Sequence, residues 1–169
     1  MPGLLWVHGG GYVMGTATQD DALCQQLAHE VGAFVAAVDY RLAPEHPFPT
    51  PLHDCYEALI WLTEQPAVAA ERVAIGGASA GGGLAAALAL LARDRGEVAP
   101  VFQLLSYPML DDRTVARDDL DDRHTRLWNN RSNRYAWASY LGRTPGAPDV
   151  DPLAAPPVAA TSRGSLLHG

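Results

Sequence analysis

The stretch Arg72-Val73-Ala74-Ile75-Gly76-Gly77-Ala78-Ser79-Ala80-Gly81-Gly82-Gly83-Leu84 decides the fold. Arg72 to Ile75 is a short apolar run of the kind found in buried strands, and Gly76 to Gly83 reads as a glycine-rich turn. Leu84 to Ala92 is almost wholly apolar, a pattern that fits a helix buried on all sides. Inside the turn, Gly77-Ala78-Ser79-Ala80-Gly81 fits G-x-S-x-G, a sharp strand-to-helix turn that holds a serine in a strained backbone and lifts its oxygen clear of a sheet. Gly77 and Gly81 leave space where side chains would strike neighbouring elements. The helix that starts after Ser79 points its first amides at any negative charge developing there. Two other structures share such a sequence: a plain Gly/Ala-rich strand-to-helix turn, and the phosphate-binding loop of a different α/β fold.

The segments on either side repeat the alternation. Leu4 to Val7 is an apolar strand stopped by His8-Gly9-Gly10-Gly11. Consecutive glycines there leave backbone N–H groups unobstructed, able to approach a carbonyl oxygen and hold its charge on attack; a flexible loop after an edge strand has the same look. Leu23, Leu27 and Val31 recur every four residues with Gly32 behind them, which predicts an amphipathic helix with a glycine stop. Ala33 to Val38 is a second strand. Pro44, Pro47, Pro49 and Pro51 hold a loop extended before a helix carrying Leu52, Cys55, Tyr56 and Leu59. Val101 to Leu105 is the fourth strand, and a helix from about Asn133 to Leu141 follows a charged loop containing Asp111, Asp112, Asp118, Asp119, Asp121 and Asp122. Strands apolar on both faces alternating with helices predict a parallel sheet covered on both sides.

Composition limits the functions open to such a chain. The 169 residues are 48% hydrophobic, enough for one core, and no apolar run reaches the length of about 20 residues that spans a bilayer. Twelve cationic residues, all Arg, stand against nineteen acidic ones for a net charge of −7, so a nucleic-acid-binding surface is not expected. Cys24 and Cys55 are far apart and expected as buried reduced thiols; no metal-ligand spacing appears, the Asp-rich loop reads as a solvated surface, and neither metal nor cofactor is expected. No secretory signal is legible, which leads to an expected cytoplasmic location.

Four segments together resemble a known family: His8 to Gly11, Asp39-Tyr40-Arg41-Leu42-Ala43-Pro44-Glu45-His46-Pro47-Phe48-Pro49, Gly77 to Gly82, and Ser106-Tyr107-Pro108. The chain resembles the hormone-sensitive-lipase-like, or bacterial family IV, carboxylesterases of the α/β-hydrolase fold-3 family. That resemblance implies a partial α/β-hydrolase fold with a central parallel sheet of about four strands, helices on both faces, and a serine carboxylesterase acting through an acyl-enzyme on small-molecule esters. By it, Ser79 is the nucleophile and the N–H groups of Gly10, Gly11 and Ala80 form the oxyanion hole. His8 and Gly9 open the loop as structural residues, with Gly77 and Gly81 framing the elbow. Ala78 departs from the Asp common in the family. No catalytic reason for the Asp39 to Pro49 segment follows from its composition.

The resemblance runs from about Leu4 to Pro157, which implies a partial hydrolase core over residues 1–157 and leaves 158–169 as a non-matching tail. Its four strands are the family's adjacent third to sixth, so both sheet edges are expected bare and open to self-association. A serine hydrolase also needs an acid and a base after the serine. Neither the family's acid nor its His is found here. Asp151-Pro152-Leu153 matches better an earlier Asp-Pro stretch of the family, His168 follows too closely behind it, and His29, His46, His53 and His124 lie in the wrong elements. The expectation is therefore a truncated chain ending in a frameshifted or misassembled segment, with impaired activity. A small-molecule-binding protein on the hydrolase scaffold and a nonfunctional gene fragment are the alternatives.

Overall fold

The computed structural model describes residues 1–117 and 127–156; Asp118, Asp119, Asp121, Asp122, His124, His168 and the tail 158–169, all named above, lie outside them. Four strands, β1 (Gly3–Val7), β2 (Phe34–Val38), β3 (Val73–Ala78) and β4 (Phe102–Ser106), form one parallel sheet in the order β2-β1-β3-β4. Among the described residues four α-helices accompany them: α1 (Asp21–Val31), α2 (Thr50–Thr63), α3 (Ala80–Arg95) and α4 (Asn130–Leu141). The chain passes outward from β1 to β2, then back across β1 to β3 and on to β4. Crossovers between parallel strands are right-handed, so this reversal sends α1 to one face of the sheet and α2 and α3 to the other.

The α2–α3 face holds the main core. Leu5, Val7, Val73 and Ile75 cluster there with Leu52, Leu59, Leu62, Leu84 and Leu88, all essentially without solvent contact. The opposite face carries Leu4, Ala74 and Phe102, which pair across the sheet in register. With Leu27 and Val31 of α1 they line an open apolar groove.

Two expectations change here. Helices do lie on both faces, but cover of the α1 face is incomplete: Phe102 is 60% exposed and Leu104 39%. The amphipathic helix expected over Leu23, Leu27 and Val31 is present as α1 and stops at Gly32, but none of its residues is fully buried and Val31 is 63% exposed. An apolar pattern reports what an element is suited to bury, whereas α1 lies over β2 and cannot reach β4 at the far edge.

The predicted turn over Gly76 to Gly83 is also shorter than expected, because α3 already begins at Ala80. Gly81, Gly82 and Gly83 lie inside the helix, where an added Cβ would meet Val7 O at 2.0 Å, Pro108 Cβ at 2.9 Å and Met109 O at 2.3 Å. Their role is close approach between the helix start and its neighbours, not loop freedom.

The loop from Asp39 to Pro49 is tied to α2 by Arg41, whose backbone N–H, Nε and guanidinium Nη2 donate to the Asp54 carboxylate at 2.9, 3.0 and 2.6 Å. Partial burial pushes the Asp54 carboxyl up, but the Arg41 bonds outweigh it and hold the group below the usual carboxylate range. A carboxyl with a lowered folded-state pKa stabilises above its unfolded value of about 3.9 and loses that contribution as pH falls through the folded value. The Arg41 side chain is largely exposed and solvent screens the pair from that side, so Asp54→Asn is expected to cost about 1 kcal/mol near neutral pH. Thermal unfolding at neutral pH and at ~pH 2 checks this: the gap between wild type and variant closes in acid, and a gap that persists there contradicts it.

Candidate active site

Ser79 lies between the last residue of β3 and the first of α3, with φ 54° and ψ −117°. Side chains rarely adopt this left-handed backbone, which costs of order 1–3 kcal/mol and persists only where surroundings enforce it. They do so with three hydrogen bonds. Ser79 N–H donates to Ser106 O at 2.9 Å, and Ser79 O accepts from Met109 N–H at 2.9 Å and from Gly83 N–H at 3.0 Å. The Ser106-Tyr107-Pro108 segment thus clamps the elbow. Gly77 completes the turn, since a Cβ there would meet Gly81 O at 2.4 Å and Val7 O at 2.7 Å. The serine is left half-buried and accessible.

The glycine loop after β1 lies alongside. A Cβ on Gly9 would fall 3.1 Å from Ala78 O and 3.4 Å from Ser79 Cβ, so the loop backbone passes next to the serine. Gly10 (φ 126°) and Gly11 (φ 60°) have conformations that favour glycine. Gly10 O accepts from Val13 and Met14 N–H, both at 3.1 Å, closing a turn. The N–H groups of Gly10 and Gly11 donate to no group among the described residues. The structure therefore brings Gly9, Gly10, Gly11, Ser79 and Ala80 to one end of the sheet, with α3 directed at its first residue toward the serine.

His8 is buried and engaged elsewhere. Its Nδ1 lies 2.7 Å from Gly9 O, and because a carbonyl only accepts, Nδ1 carries the proton. Nε2 has no hydrogen-bond partner and stands 3.9 Å from Asp39 Oδ1. Neither nitrogen bonds Ser79. His29, His46 and His53 are exposed on α1, the proline loop and α2. Asp151 caps its own turn, accepting from Leu153 N–H at 2.8 Å. Among the described residues the Ser79 hydroxyl makes no hydrogen bond to a base, and no group of His, Cys, Asp and Glu there is arranged to hold a metal ion.

Trp128 was not singled out by sequence. Its ring sits on Gly11, where a Cβ would lie 2.0 Å from Cη2, so it walls the glycine loop. It arrives from the segment ahead of α4, which has no periodic signal to announce it.

The model of the alpha/beta hydrolase fold family matches residues 4–167. The chain belongs to that family. Within the α/β-hydrolase fold it groups with the hormone-sensitive-lipase-like esterases. It is 47% identical over 110 residues to esterase LipI of Mycobacterium tuberculosis, covering 63% of this chain and 34% of the relative. It is 46% identical over 112 residues to an ethyl acetate hydrolase of Pseudomonas putida, covering 64% and 35%. Among solved structures, a bacterial heroin esterase superposes with TM-score 0.85 at 46% identity, covering 92% of this chain and 51% of that one. The α/β-hydrolase chain described here thus spans about a third of the curated relatives' length and about half of the solved relative's.

Proposed function

We infer that this chain carries the nucleophile and the oxyanion hole of a carboxylic ester hydrolase acting on small-molecule esters. The observation that carries this reading is the strained, accessible Ser79 lying beside a glycine loop whose Gly10 and Gly11 N–H groups are unengaged among the described residues. Ser79 Oγ attacks the ester carbonyl carbon and the alcohol leaves, giving an acyl-serine that water then hydrolyses. The N–H groups of Gly10, Gly11 and Ala80 hold the oxygen charge formed on attack. His8 and Gly9 set the loop, and Gly77 and Gly81 set the elbow.

Activity is impaired in this reading, because the hydroxyl proton has no base to receive it among the described residues. Supplying one from solution is the test. Imidazole-dependent hydrolysis of p-nitrophenyl butyrate should be faster with the wild-type chain than with Ser79→Ala, the variant accounting for imidazole's own attack on the ester. Equal rates overturn the reading.

Among the described residues no strand pairs with the outer edge of β4, which supports pairing with a second copy of the chain. Unsatisfied strand edges recruit other strands, and this one presents Phe102 and Leu104 to solvent. Sedimentation should show concentration-dependent association that Phe102→Lys abolishes; an association the variant leaves unchanged contradicts it. Among the described residues no helix is long and apolar enough to cross a membrane. Of the two thiols expected to be buried, Cys55 is and Cys24 is only half-buried; both are free, which supports a reducing, cytoplasmic setting.

A further inference from the structure

We propose that Tyr40 is the positioning residue of the glycine loop, holding Gly9, Gly10 and Gly11 in the conformation that presents their N–H groups. The proposal rests on the ester-hydrolase reading for what those N–H groups do, and on geometry alone for how they are held.

Tyr40 is 2% exposed. Its hydroxyl donates to His8 O at 3.0 Å, and its ring lies flat on the His8 imidazole, centroids 4.3 Å apart and planes 13° apart. His8 Nδ1–H in turn donates to Gly9 O at 2.7 Å. At the far end of the same loop, Ala43 N–H donates to Tyr12 O at 2.9 Å. The Tyr40–Ala43 segment thus grips the loop on both sides, at His8 and at Tyr12, and leaves the three glycines between as a bridge. Arg41, inside that segment, fixes it to α2 through Asp54.

Such a grip has a physical purpose. Glycine has more backbone freedom to lose than any other residue, so three in succession have many conformations in which their amides point elsewhere. Oxyanion stabilisation depends on donors already oriented when charge develops, with no reorganisation left to pay at that moment. Tyr40 touches no reacting atom in this scheme and acts through His8. Burial pushes its hydroxyl well above the ordinary tyrosine range, so it remains a protonated donor. The Asp39 to Pro49 segment, which had no catalytic reason from composition, acquires one as the clamp of the loop.

Tyr40→Phe keeps the stacked ring and removes only the hydroxyl. Native-state hydrogen exchange of the full chain should show the amides that bond the loop, Val13 and Met14 to Gly10 O and Ala43 to Tyr12 O, exchanging about three- to tenfold faster in the variant, the loss expected for one hydrogen bond, while α3 amides hold their rates. In the imidazole-assisted reaction kcat should fall by a similar factor with KM within about twofold, since the loop acts on the transition state. Unchanged Val13, Met14 and Ala43 amides, or these and the α3 amides accelerated alike, overturn the proposal. Should imidazole-assisted turnover be absent even in the wild type, the ester-hydrolase reading fails, and the exchange rates still decide the clamp. If Tyr40→Phe does not fold, the wild-type protein decides: a slowly exchanging Tyr40 hydroxyl proton close to His8 supports the clamp, and a rapidly exchanging one overturns it.

Discussion

Hydrolysis of p-nitrophenyl butyrate by this chain without added base is expected to be slow, roughly 10³–10⁴ over water and about 10⁶ below a serine hydrolase with a complete triad. The reason is that no proton path from Ser79 is complete among the described residues. Ser79 is strained, accessible and faced by unengaged amides, but His8 is committed to Gly9 O, and no described histidine bonds the hydroxyl. Because the members of a triad act as a unit, Ser79→Ala is expected to change that residual rate by less than about tenfold. Steady-state release of nitrophenolate measures it. A substantial rate in the wild type that Ser79→Ala abolishes would mean that the chain supplies a base, and would contradict the impairment.

Gly81→Ala is expected to have the largest effect on stability. The added methyl would stand 2.0 Å from Val7 O and 2.4 Å from His8 O, both backbone atoms at the end of β1. Nothing flexible can yield, so the start of α3 must move away from the sheet. A loss of about 3 kcal/mol or more follows, the upper range for forcing atoms into a packed site. Denaturant unfolding checks it, with Gly32→Ala as the comparison. Gly32 has open space around it but a φ of 65°, so its substitution is limited to the left-handed backbone cost of about 1–2 kcal/mol. Equal losses at the two positions would show that crowding at the elbow has been overstated.

The parts of the fold legible in sequence were those with a local signature. Runs such as Leu4 to Val7 and Arg72 to Ile75 mark strands because a buried parallel strand is apolar throughout, and β1 and β3 are found there. Ser79 was legible because G-x-S-x-G between a strand and an apolar helix constrains the backbone at one residue. Its left-handed φ is that constraint made visible. The glycines at 81 to 83 misled in one respect: their low helix propensity signals a turn, but close contact with Val7, Pro108 and Met109 outweighs propensity and admits them to α3.

Long-range relations were not legible. The stripe of Leu23, Leu27 and Val31 specifies an apolar face without specifying what lies against it, and in this structure Leu27 and Val31 border an open groove. The contact of Tyr40 with His8 joins residues 32 apart in sequence. Trp128 reaches Gly11 from a segment with no period at all. Such pairings are created by the crossover connections, and only the assembled sheet displays them.

Covalent labelling tests the central claim most directly. The chain, with imidazole present, is incubated with a p-nitrophenyl alkylphosphonate; attack at phosphorus forms the oxygen–phosphorus bond, expels nitrophenolate and leaves a phosphonyl group on the attacking residue. Peptide mass mapping then locates it. The adduct is expected on Ser79 and absent from Ser79→Ala. An adduct on any other residue, or one formed equally by Ser79→Ala, would contradict the assignment of Ser79 as the nucleophile.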